Sequence, residues 1–498
     1  MISRRSLLKA STLPWLGGLV WGQEAQLVAP PVVGSGDPTP RGIVLWGYAA
    51  GPARVSFEVS RSPDFALSQM VPGGTTTEAT GYTAKVYLPG PLLGQYYYRM
   101  HLSPLAKGPE FEPILGSFRV KSKGEDIRFL WSGDNVGQGY GINPEWGGLK
   151  IYRQMLGREP DFFLHSGDYI YADGPLSPEL ELPDGFLWRN LVTPAKSKVA
   201  ETLAEFRGNY TYNFLDQNFR EFMAAVPQVV QWDDHETTNN WYPGEILADE
   251  RYQESSVNLL AARALRAFLE YTPVPVFFRF PQRIYRKLAY GPLLEVFIVD
   301  LRSYRSQNSA NRAAEDVILG REQLDWLKHG LYNSRAVWKV IASDMPIGLV
   351  VPDGEAFEAI ANGDNGAPAG RERELAELFS FIKHAPVKNT VWLTADVHYT
   401  AAHRYAPEQA SFKDFNPFYE FVSGPLHAGT FGPSELDATF GPQVLYQKAP
   451  APGQSNLPPS AGLQFFGEVT ISALNRDLTV VLRDLSGAEL YQIRLEAE

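Results

Sequence analysis

Beyond Asp126 the chain is a succession of apolar runs of strand length, and nearly every run ends in an aspartate. Ile127-Arg-Phe-Leu-Trp131 leads to Asp134, Asp161-Phe-Phe-Leu-His165 to Asp168, and Val229-Val-Gln-Trp232 to Asp233-Asp234-His235. Leu294 to Val299 leads to Asp300, Trp338-Lys-Val-Ile-Ala-Ser343 to Asp344, and Thr390-Val-Trp-Leu-Thr394 to Asp396-Val-His398. Amphipathic helical patterns, such as Gly320 to Gly330 and Glu372 to His384, separate the runs. Strands apolar on both sides, alternating with helices, predict an α/β core whose sheets are covered.

Ligands of such sheets gather at the carboxyl ends of the strands. Carboxylates converging there repel one another unless cations lie between them. The pattern therefore predicts a metal site. The chain has no cysteine, so disulfides, zinc–thiolate sites and cysteine nucleophiles are excluded. Carboxylates with His, and with Tyr171 nearby, suit iron, manganese, magnesium or calcium better than a structural zinc. Two ions sharing one carboxylate would clamp a phosphoryl group. Asp168 is the best placed acid to bridge them. Gly133 and Gly167 are expected to allow the sharp turns that aim the acids inward.

Residues 30–121 read differently. Gly42 to Tyr48, Ala53 to Ser60, Tyr82 to Leu88, Gln95 to His101 and Gly116 to Val120 alternate apolar and polar residues, with Gly and Pro between them. This predicts a small all-β sandwich of immunoglobulin or fibronectin type. A polar linker, Lys121 to Glu125, precedes a catalytic domain expected over 126–498, its last strands completing a sheet. No internal repeat is visible.

Ser3-Arg4-Arg5-Ser6-Leu7-Leu8-Lys9 and the apolar stretch Leu13 to Trp21 read as a twin-arginine (Tat) signal peptide over 1–22. Tat export machinery becomes an expected partner, and the location periplasmic or extracellular. Cleavage after Gly22 would remove Arg4, Arg5 and Lys9 and take the formal charge from −11 to −14. Such a balance argues against non-specific affinity for nucleic acid or an anionic membrane surface, and no later run is long enough for a transmembrane anchor.

Six segments in order resemble the alkaline phosphatase D (PhoD-like) family. They are Ser132-Gly-Asp134, His165-Ser-Gly-Asp-Tyr-Ile-Tyr171, Trp232-Asp-Asp-His-Glu236, Val299-Asp-Leu-Arg-Ser-Tyr-Arg305, Leu319-Gly-Arg-Glu-Gln-Leu-Asp-Trp-Leu327 and Ala395-Asp-Val-His398. The resemblance runs from about Pro31 to Gly429. It implies a four-layer calcineurin-like metallophosphoesterase core with two facing sheets. It also implies hydrolysis of phosphate mono- or diesters by metal-activated water, with iron and calcium as cofactors. Carried over by position, Asp168 would bridge the ions and Tyr171 would bind iron as a phenolate. Asp234 and Asp396 would bind the second metal group, His398 iron, and Asn239 calcium through its amide oxygen. His235 would face the phosphate or protonate the leaving alkoxide. Many family members carry a cysteine in the first motif, where this chain offers Asp134. That harder ligand makes manganese an alternative.

Arg302 and Arg305 could clamp a phosphate or form structural salt bridges, and Asp233 could be a ligand or could orient His235. His165, His403 and His427 lie near strand ends, while His101, His329 and His384 are expected to face solvent. The segments Gly174–Lys198 and Asp353–Gly370 read as rim loops. A secreted binding protein with a degenerate phosphoesterase core is the alternative of another class. Every expected ligand position holds a competent residue.

Overall fold

The structure is a computed structural model that describes residues 27–105 and 111–498. The expected signal segment lies outside the described residues. In chain order the first strands are β1 (Val32–Thr39), β2 (Gly42–Tyr48), β3 (Ala53–Ser60), β4 (Ser68–Thr76), β5 (Thr83–Pro89), β6 (Gly94–Pro104) and β7 (Ile114–Val120). Then come β8 (Ile127–Ser132), β9 (Phe162–Ser166), the hairpin β10 (Glu179–Glu181) and β11 (Leu187–Arg189), and β12 (Gln228–Gln231). β13 (Arg286–Ala289), β14 (Leu294–Ile298), β15 (Trp338–Ala342), the hairpin β16 (Pro352–Asp353) and β17 (Ala356–Phe357), and β18 (Thr390–Thr394) follow. The last are β19 (Thr400–Tyr405), β20 (Phe418–Val422), β21 (Pro442–Lys448), β22 (Phe465–Ile471), β23 (Leu478–Asp484) and β24 (Glu489–Leu495).

Two sheets build the α/β part. One has nine strands in the order β24-β23-β22-β8-β9-β12-β1-β2-β5, the other seven in the order β13-β14-β15-β18-β20-β19-β21. Period-two alternation resolves the near-continuous apolar runs into two faces. Phe129, Trp131, Phe162, Leu164 and Val229 of the first sheet share a core with Val296, Ile298, Val340, Ala342, Val391 and Leu393 of the second. The intervening Leu130, Phe163 and Val230 turn outward against helices that include Gln217–Ala225 and Val257–Tyr271. Phe297, Ile341 and Trp392 do the same against Arg321–Asn333 and Glu372–His384. The result is helix on sheet on sheet on helix.

β8, β9 and β12 run parallel, as do β14, β15 and β18. Within each set the carboxyl ends therefore point one way. The terminal strands extend the first sheet, with β22 antiparallel to β8.

The sandwich packs β1-β2-β5 against β4-β3-β6-β7 around Leu45, Phe57, Tyr98 and Phe118. It is not set apart from the α/β part. β1 pairs with β12 in parallel through Gly36 and Gln228, so one sheet is continuous across both parts. A Cβ at Gly36 would stand 2.6 Å from the Gln228 carbonyl oxygen, and only glycine permits this approach. Asp37 holds Arg286 by two bonds, of 2.6 and 2.8 Å. His101, expected at the surface, is half-buried and bonds Glu58 at 2.9 Å.

The Arg286 side chain is 2% exposed. Asp37→Ala should cost about 3 kcal/mol by stranding a buried guanidinium, measured as a shifted urea midpoint. A change below about 0.5 kcal/mol would mean that the carbonyls of Val230 and Ile284, which also accept from Arg286, suffice alone.

Candidate active site

The turns that leave the parallel strands are tight, and the acids themselves make them. Asp134, Asp168, Asp396 and His398 have φ of 60, 54, 69 and 59°, the left-handed region that costs a side-chain-bearing residue about 1 kcal/mol or more. Gly167 precedes Asp168 with φ 100°. Gly133 is not in that region. It is needed for room, since a Cβ there would stand 2.9 Å from the Ala395 Cβ. The turn expected at Gly133 falls instead on Asp134.

These turns bring three sets of donors together, the atoms of each lying within 4.8 Å of one another. They are Asp134, Asp168 and His398; Asp168, Asp234 and His235; and Asp233, Asp234 and Asp396. Asp168 belongs to the first two sets and Asp234 to the last two. Not every strand-end acid joins. Asp300 caps its own turn, accepting from the backbone of Arg302 and Ser303 and from the Trp232 indole at 3.1 Å. Asp344 lies behind the sets, 3.7 Å from Arg302.

Burial, reinforced by neighbouring carboxylates, holds the Asp134, Asp168 and Asp396 carboxyls well above the usual range. Neither Asp134 oxygen has a hydrogen bond of ordinary geometry, and only the Asp396 backbone N–H approaches. A Cβ at Gly424 would sit 1.9 Å from Asp134 Oδ2. A pocket of unsatisfied, oxygen-rich donors is what a cation requires, and the residues fit one.

The two imidazoles differ. His398 approaches the Gly429 carbonyl oxygen through Nδ1, and its Nε2 lies 2.9 Å from the Tyr171 hydroxyl. Burial pulls it down to about 4, so it is neutral at pH 7 with Nε2 available as a ligand. His235 bonds Asp173 Oδ1 through Nδ1 at 2.8 Å. Burial opposes its charge, but Asp173, Asp234 and Asp168 outweigh burial and hold it protonated. Tyr171 stacks on His235 with ring centres 4.2 Å apart. Burial, with Asp168 and Asp134 beside it, pushes its phenol well above the usual value. Its phenolate would need an adjacent cation.

Asp173 was not foreseen as the partner of His235. Asp233, the residue considered for that role, instead accepts from Arg302 Nε at 2.6 Å. Glu236 was also unassigned. Its carboxylate accepts from the backbone of Asp168 at 3.2 Å, Tyr169 at 2.6 Å and Asp233 at 2.7 Å, pinning two strand-end turns together. Asn239 is exposed, and its backbone N–H donates to Asp173 Oδ2 at 2.9 Å. His165 is buried against Tyr169, His403 pairs with Glu420, and His427 lies between Trp146 and Trp188.

Of the two roles left open for Arg302 and Arg305, the structure displays the salt bridges. Both guanidinium groups are fully buried and paired inside the protein, Arg302 with Asp233 and Glu358, and Arg305 with Glu358 and Asn308. Glu358 lies in the segment 353–370 expected at the rim, yet it is 1% exposed. Residues 358–362 of that segment are buried, while Gly354, Glu355, Gly363, Asp364 and Asn365 are exposed. Lys196, in the other expected rim loop, is also buried, and its ammonium donates to the Tyr171 carbonyl at 2.7 Å.

A sequence profile described as PhoD-like phosphatase matches residues 129–482, and one for the PhoD-like phosphatase N-terminal domain matches 23–121. This chain belongs to the PhoD-like phosphatase family. It is similar to alkaline phosphatase D of Bacillus subtilis (strain 168), 29% identical over 432 residues that span 80% of this chain and 69% of that one. A solved structure titled "Structure of PhoD" shares the fold, with a TM-score of 0.69 and 20% identity over 95% of this chain and 94% of the other. Like its family, this PhoD-like protein is a phosphoester hydrolase.

Asp173→Asn should leave the fold intact but free the His235 ring to reorient. A drop of about 10–100-fold in kcat with little change in KM is expected, read from steady-state hydrolysis of a soluble phosphate ester. Loss in KM alone would remove Asp173 from the chemistry.

Proposed function

We propose that the carboxylates of the three donor sets, with His398 and Tyr171 but not the protonated His235, form one multinuclear metal centre at which this exported enzyme hydrolyses phosphate mono- or diesters. The observation that carries the reading is the sharing of donors: Asp168 links the first set to the second, and Asp234 the second to the third. Asp134, Asp168, Tyr171 and His398 would hold one ion. Asp168 and Asp234, with Asn239 at the edge, would hold a second, and Asp233, Asp234 and Asp396 enclose further donor space. When bound, the ions supply Lewis acidity toward the phosphoryl oxygens and toward water.

The chain's own groups have separable tasks. Asp173 keeps His235 protonated and fixes its ring, leaving Nε2–H to donate to a phosphoryl oxygen or to the leaving alkoxide. Glu236 holds the Asp168 and Asp233 turns at a fixed separation. Arg302 and Arg305 offset part of the negative charge from behind, so they act on the site without touching substrate. A donor set of oxygen and nitrogen without thiolate favours hard or borderline cations. Iron with calcium is the pairing we propose, with manganese able to replace iron where Asp134 stands in the position of a family cysteine. The twin-arginine segment at residues 3–9 supports export to the periplasm or beyond, and no described helix is long and apolar enough to cross a membrane.

The test is Asp168→Asn, with metal content and hydrolysis of matched mono- and diesters measured under iron, manganese or calcium. Loss of bound metal and a fall in rate on the order of a thousandfold are expected. Full metal content at the wild-type rate would remove Asp168 from the centre. Absence of iron, manganese, calcium and zinc under replete conditions would favour a degenerate binding protein instead.

A further inference from the structure

Between Tyr271 and Glu295 the chain contains no acidic residue, yet it carries Arg279, Arg283, Arg286 and Lys287. This is unusual in a chain of formal charge −11. At the tip of this segment Phe277 and Phe280 form an isolated antiparallel bridge, and the Phe280 N–H donates to the Phe277 carbonyl at 3.0 Å. The turn thrusts its side chains outward. Phe278 is 99% exposed, Val276 52% and Phe280 48%. Other large apolar residues are exposed as well, but three within five positions is a patch and not scatter.

The cations complete the tip. Arg286 and Lys287 are spent on Asp37 and Glu295. Arg279 and Arg283 form no ion pair among the described residues. Arg279 is exposed, and the Arg283 guanidinium lies 4.6 Å from the Phe280 ring centre and 4.9 Å from that of Tyr285. Phenylalanine at the apex with arginine around it matches the boundary of an anionic lipid bilayer. Rings enter the acyl region while guanidinium groups stay among the headgroups.

We infer that the turn Pro275–Arg283 docks this protein on an anionic membrane surface. The shape favours lipid over protein. A stable protein interface takes about 800 Å² from each partner, whereas two Phe side chains and a Val supply roughly half of that. A bilayer needs only a few inserted side chains, and the affinity is correspondingly weak and reversible. β13 starts immediately after the turn, and its Arg286 pairs with Ile298 at the carboxyl end of β14. The tip thus hangs from the edge of the seven-stranded sheet, which contributes Asp396 and His398 to the active site.

The experiment is co-sedimentation of the full chain with vesicles of phosphatidylglycerol and, in parallel, of phosphatidylcholine. Binding to the anionic vesicles that weakens with salt is expected, and F278S/F280S should bind about tenfold more weakly or worse. Hydrolysis of a soluble monoester by that variant should be unchanged, which reports an intact fold. Arg279→Glu should lose binding to phosphatidylglycerol selectively. Equal binding by wild type and F278S/F280S would overturn the inference, as would equal affinity for both lipids. So would self-association of the wild type that the substitutions abolish, because the tip would then be a protein contact.

Discussion

Repulsion among buried carboxylates is the constraint on which the rest of this structure depends. Asp134, Asp168, Asp234 and Asp396 meet where two sets of parallel strands end, with Asp233 and Asp344 close behind. Arg302, buried beneath them, lies within 4.0 Å of Asp233, Asp234, Asp344 and Asp396 and also pairs with Glu358. Arg302, with Arg305 and the protonated His235, cannot balance so many acids in a low-dielectric interior. The remaining charge is either neutralised by protons, as the upward-held carboxyls of Asp134, Asp168 and Asp396 indicate, or by metal ions. The fold has stored the conditions for metal binding as an electrostatic deficit.

That deficit is tolerable because the surroundings are over-determined. Two facing sheets share a core of aromatic and branched side chains, and helices cover their outer faces. The strand ends are therefore rigid enough to hold four donors in left-handed backbone. Glu236 ties the Asp168 and Asp233 turns, and Asp173 ties His235 to the turn after β9. The continuous sheet from β24 to β5 links the same layer to the sandwich, so the amino-terminal strands help to brace one side of the site.

Much of the site could be read from sequence because its signal is local. An apolar run followed within a few residues by Asp reports a strand end whatever the tertiary fold, and the ordered set of such ends singles out one family. What escaped was set by contacts distant in the chain. Asp173 meets His235 across 62 residues, and Glu236 reaches the Asp168 backbone across 68. Glu358 meets Arg305 across 53, from a segment whose Gly, Pro and acids suggested a surface loop. Composition could not reveal that an acid in such a segment lies beneath the cluster. The same blindness left two roles open for Arg302 and Arg305, since an arginine a few residues past a strand end looks alike whether it faces phosphate or an interior carboxylate. Fold class was legible throughout, but the pairing of β1 with β12 through Gly36 and Gln228, which makes one sheet of sandwich and core, was not.

The central claim is that cations replace protons among these carboxylates. Calorimetry of metal binding to chelator-treated protein, repeated near pH 7 in buffers of differing ionisation enthalpy, tests it most directly. The account predicts a net release of protons on binding, reduced in Asp134→Asn. Saturable binding with no proton release in any buffer would mean that the acids are already ionised without metal, and would contradict it.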